Sequence, residues 1–178
     1  MTDDMRGAAD ERRRLLHSLE VERNQLIRNI ETCRIRDIDR AFIGEWSLKD
    51  IVGHVASWEA EVVSGLRDVK RGKRPAVLDF DDSTTNAWNQ DHVERKRGLE
   101  FFNVMDQLKG GRERLLEALD DVSDEELTAE SSLYGELVET VIEHDREHWH
   151  QIAATLAGLE RVRPTGPRSA AEEAASTS

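Results

Sequence analysis

The stretch LYGELVETVIEHDREHWHQIAATLAGL, residues 133–159, decides the fold of this chain. Leu137, Val141, His144, His148 and Ile152 follow one another at intervals of four, three, four and four residues, the repeat of a single helix face. Charged side chains fill much of the remaining circumference, so the stretch predicts an amphipathic helix whose apolar stripe faces a core. Two imidazoles continue that stripe, which directs two polar rings into the interior of a helical protein.

The preceding sequence repeats the pattern. A helix is predicted from about Asp10 to Cys33, with Leu15, Leu19, Leu26, Ile30 and Cys33 on its stripe and Leu16 and Ile27 widening it. A second begins after Trp46, where Ser47 and Asp50 form an S-x-x-D start signal, and carries Ile51, Val55, Trp58, Val62 and Leu66 on its inward face. Lys70 to Pro75 ends it. A third long segment is expected from Ser83 to about Leu119, broken or kinked near Gly98 or the Gly110-Gly111 pair, with Phe102, Met105, Leu108, Leu115 and Leu119 turned inward. Ser123 and Glu126 form another capping box, opening one helical turn before the last helix. Four amphipathic helices with short and longer connections predict an all-α, four-helix bundle over residues 1–160. Residues 161–178, rich in Pro, Gly, Ser, Thr, Ala and Glu, are expected to be a disordered tail.

The 178 residues hold 37 Asp plus Glu against 25 Lys plus Arg, a formal net charge of -12. That balance argues against nucleic-acid binding, which needs a basic surface to neutralise phosphates. One cysteine, Cys33, excludes an intramolecular disulfide and a multi-cysteine metal site. The N-terminal residues carry Asp3, Asp4, Asp10 and Glu11 and no apolar signal core, and no apolar run reaches membrane-spanning length, so a soluble cytoplasmic protein is expected.

His144 and His148, four residues apart on one face, have chelating spacing. His54 lies one turn from both Ile51 and Trp58 and offers a third ligand. Three neutral imidazoles without thiolate or carboxylate suit Zn, Ni or another late divalent ion, and leave positions open for water or substrate. The alternative is two core histidines with satisfied nitrogens and a third elsewhere. His144 to His148 also matches H-x-x-E-H, which would make Glu147 the base of a metallopeptidase. That mechanism needs a further ligand, and the carboxylates that follow, Glu160, Glu172 and Glu173, lie at or beyond the helix end. His17 and His150 fall off the apolar faces. Asn86, Asn89, Gln90 and His92 form a polar cluster that either lines a pocket or coats a surface. Asp145 and Glu147 are expected on a solvated face, with a lesser expectation of supporting contacts to another chain.

Trp46-Ser47-Leu48-Lys49-Asp50, followed by His54, Trp58 and Glu59, resembles the W-S-x-K-D-x-x-x-H-x-x-x-W-E segment of the DinB/YfiT-like superfamily. His144-x-x-x-His148-x-x-Gln151-Ile152 resembles its closing motif, and Asp82 with Asn86 is similar to its third-helix entry and to the ClbS/DfsB branch. The resemblance runs from about Leu15 to Leu159. It implies a bundle holding a divalent metal on His54, His144 and His148, commonly as a homodimer. It further implies a thiol-dependent S-transferase, with a low-molecular-weight thiol as co-substrate, or a hydrolase acting on a small electrophile. The general base is open between Glu147 and His92. The non-enzymatic alternative is a stress-related bundle that holds a ligand or dimerises around a structural metal.

Overall fold

The computed structural model describes residues 3–161. The tail expected over 161–178 lies outside the described residues apart from Arg161, which ends the last helix. Among the described residues the helices are α1 (Asp3–Thr32), α2 (Leu48–Lys70), α3 (Asp82–Lys96), α4 (Phe101–Asp120), α5 (Asp124–Thr128) and α6 (Leu133–Arg161). The fold is all-α. Helices α1, α2, α4 and α6 make the bundle: α2 packs against α4 and α6, and α1 packs against α6.

Local chemistry sets the boundaries. Ser47 accepts a hydrogen bond from the Asp50 amide while Asp50 accepts one from the Ser47 amide, so the predicted signal starts α2. Ser123 and Glu126 open the short α5 in the same way. The expected third segment divides at residues 97–100, around Gly98, whereas Gly110 and Gly111 stay helical within α4. The fragment before the break, α3, buries only Val93 fully and packs against α2. Ahead of α2, Ala41–Ile43 and Trp46–Ser47 form a two-stranded antiparallel hairpin. It turns at Gly44, whose φ of 58° suits a residue without Cβ. The helical periodicity carries no sign of it.

The predicted stripes form the core in two halves. One gathers Leu15, Leu19, Val62, Leu66, Leu115, Leu119 and Val141; the other gathers Leu26, Ile30, Ile51, Val55, Val104, Leu108 and Ile152. Phe102 corrects the α4 expectation: it is 72% exposed, and Phe101 and Val104 take the inward positions at that end.

Between the two halves lies a layer of charge. Arg23 is 5% exposed and Glu59 and Asp145 are each 1% exposed, which overturns the expectation that Asp145 faces solvent. The Arg23 guanidinium donates through Nε and Nη2 to the two oxygens of Asp145, both at 2.9 Å, and through Nη1 to Glu59 at 3.0 Å. Arg112 donates to Glu59 at 2.7 Å and to Asp145 at 2.8 Å. The same guanidinium groups donate to the carbonyls of Leu108 and Leu19, so α1, α2, α4 and α6 meet in one closed polar ring. Two cations facing two anions leave no stranded buried charge, the condition under which such a group is tolerated.

Candidate metal centre

His54, in the second turn of α2, meets His144 and His148 from α6 at one side of the bundle. The Nε2 of His144 lies 2.9 Å from that of His54 and 3.1 Å from that of His148. One ligating nitrogen from each ring falls within 4.8 Å of the others. Sequence spacing supplied all three residues, and the fold brings them together.

The donor set fits a cation. A neutral imidazole nitrogen either donates or accepts, so His144 Nε2 facing two other ring nitrogens cannot complement both in every tautomer. If the protons sit on Nδ1, lone pairs converge; if His54 and His148 instead donate through Nε2, their Nδ1 lone pairs are left over. The Nδ1 atoms of His54 and His148 are in fact buried without hydrogen-bond partners. Burial lowers the pKa of all three rings: His54 is pulled down to about 3, His144 falls well below the ordinary range, and His148 is also lowered. The rings are therefore neutral near pH 7, the form that ligates metal.

Residues 19–152 match the family model of the DinB superfamily, a span that contains all three histidines and the charged ring. The chain belongs to that superfamily. Neither the curated proteins nor the solved structures gave a match.

The histidine cluster opens into a pocket of about 320 Å³. Ile43, Trp46, Ile51 and Trp58 supply its apolar wall, and Thr85, Asn89, Glu147 and Gln151 its polar one. The Trp46 ring lies 5.0 Å from His54, and the Trp58 ring 5.5 Å from His144 and 5.1 Å from Trp88. Trp58 thus packs against the histidine rings as well as the core. A roomier hollow of about 470 Å³ lies elsewhere, walled by Glu11, Glu130, Glu136 and Glu139 and without a histidine.

The remaining candidates separate cleanly. His17 and His150 are exposed. His92 stacks on Trp88 at 3.7 Å, its Nδ1 against the Trp88 carbonyl, and is not part of the pocket wall. Of the polar cluster on α3, Asn89 borders the pocket while Asn86 and Gln90 are exposed. Glu147 is exposed yet borders the pocket, with Oε1 accepting from Gln151 Nε2 at 2.9 Å. Thr85 and Ile43 were not anticipated, because a loosely periodic α3 and a short hairpin carry no helical stripe on which to place them. Cys33 lies away from the pocket, and burial pushes its thiol up to about 11.

Proposed function

We propose that this chain is a divalent-metal-dependent enzyme that adds a low-molecular-weight thiol to a small electrophilic substrate, with Zn or Ni held by His54, His144 and His148. The convergence of three neutral imidazole nitrogens at the wall of an open pocket carries this reading. A bound divalent ion supplies Lewis acidity, lowering the pKa of a thiol or water brought beside it. Trp46, Trp58, Ile43 and Ile51 exclude water from the electrophile and hold its apolar part. Glu147 keeps Oε2 free of the Gln151 bond, and in this reading that oxygen takes the proton from the incoming nucleophile. The thiol comes from outside, since the Cys33 thiol stays protonated near neutral pH and does not reach the pocket. The family resemblance adds a homodimer to this picture.

The test loads the purified protein with Zn²⁺ and supplies a panel of small thiols with an electrophile such as 1-chloro-2,4-dinitrobenzene. Thioether formation is expected, abolished in His54→Ala and reduced about 100-fold or more in Glu147→Gln. Product formed by water alone, with no thiol dependence, identifies a hydrolase instead. A metal-loaded protein that turns over neither way contradicts the catalytic reading and leaves a ligand-holding bundle.

A further inference from the structure

We propose that the buried ring of Arg23, Glu59, Arg112 and Asp145 sets the geometry of the three-histidine site, making these four residues positioning residues for a bound divalent metal. The inference rests on the metal reading above and goes beyond it, because none of the four touches the pocket or offers a ligand to the cluster.

Metal-ligating histidines are ordinarily oriented by their second ring nitrogen, which donates to a carboxylate, a carbonyl or water. Here the Nδ1 atoms of His54 and His148 have no such partner. The contacts among the ring nitrogens and the packing of Trp46 and Trp58 fix part of where these rings point, and the rotation and axial register of the helices that carry them fix the rest. The charged ring controls both. Asp145 follows His144 directly and precedes His148 by less than one turn on α6, and Glu59 lies five residues beyond His54 on α2. Both carboxylates are gripped by the same two guanidinium groups, from α1 and α4, through hydrogen bonds of 2.7–3.0 Å. Planar, bidentate recognition has a defined direction, unlike the apolar contacts above and below it. A helix free to rotate or slide within those contacts is pinned at the level of the metal ligands.

Stability alone accounts poorly for the ring. A buried ion network is often no better for stability than well-packed apolar side chains, and its best-attested use is to fix register. Gly111 shows how closely the ring is fitted: a Cβ there would come within 2.8 Å of the Glu59 carboxylate.

The experiment titrates Co²⁺ into the metal-free full chain and follows its visible absorption, which reports coordination number and symmetry as well as affinity. Four proteins are compared: the parent, Asp145→Asn, a fourfold variant (Arg23→Met, Glu59→Met, Arg112→Met, Asp145→Leu), and Leu119→Ala, which loosens the far half of the core. Circular dichroism checks that each is folded. The expected result is Co²⁺ affinity lowered about tenfold or more in Asp145→Asn and in the fourfold variant, with altered bands, and parent-like binding in Leu119→Ala. If Asp145→Asn does not fold, the fourfold variant, which strands no charge, carries the comparison. Folded ring variants with the parent's affinity and spectrum overturn the proposal, as does an equal loss in Leu119→Ala. A parent that binds no Co²⁺ overturns the metal reading itself, which is a different failure.

Discussion

At the scale of single residues, the three imidazoles make the metal-free protein sensitive to acid. An unfolded histidine takes up a proton near pH 6.5, whereas burial keeps the folded rings neutral to lower pH. The unfolded chain therefore binds more protons in this window. Stability contributed by the neutral rings is complete above about pH 6.5 and is lost as the pH falls toward the lowered folded values. For His54, whose folded value is about 3, the loss between pH 6.5 and 5.5 is about 1 kcal/mol. Urea unfolding of the metal-free parent should give a midpoint that drops over this interval, with a smaller drop in His54→Gln; parallel pH profiles would contradict it. The histidines were legible in the sequence because they interrupt an apolar stripe with a ligating group. The charged ring left the same kind of mark. Arg23 stands between Leu19 and Leu26, Glu59 between Val55 and Val62, Arg112 between Leu108 and Leu115, and Asp145 between Val141 and His148, each four residues after one stripe residue and three before the next. What one helix at a time cannot show is that two positive and two negative interruptions share a level, because that depends on the register between helices.

At the scale of elements, α4 carries a contrast between two adjacent glycines. Gly110 has room: an added Cβ would meet only the flexible end of the Arg114 side chain, at 3.1 Å, so Gly110→Ala should stabilise the helix by up to about 1 kcal/mol. Gly111 has none, since the obstructing atom is the buried Glu59 Oε2, itself held by Arg23. Gly111→Ala should destabilise the protein by about 1–3 kcal/mol despite its better helix propensity. Thermal melts of the two variants should move in opposite directions, and a stabilising Gly111→Ala would show that the ring is less tightly fitted than its geometry implies. The same pair explains a limit of sequence reading. Two consecutive glycines are a reasonable place to break a helix, but the chain breaks around Gly98, where an added Cβ would meet nothing within 4 Å, and uses Gly111 for a close approach to Glu59. The capping boxes at Ser47 and Ser123 were legible because their chemistry is confined to four residues.

At the scale of the whole molecule, the bundle places two apolar halves on either side of a polar layer and sets the histidine cluster beside that layer. The all-α bundle followed from periodicity because every stripe reports on its own helix. The pocket did not, because its wall combines α2, α3, α6 and the hairpin, and the position of α3 depends on a break that helix propensity alone could not locate. No described helix is long and apolar enough to cross a membrane. We propose that this arrangement holds a metal on His54, His144 and His148. The most direct test is elemental analysis of the purified protein, before and after reconstitution with Zn²⁺ or Ni²⁺, beside the His144→Ala/His148→Ala double variant. Close to one equivalent of metal is expected in the parent, and its loss in the variant. A folded parent that takes up neither metal, or a double variant that keeps it, would contradict the account.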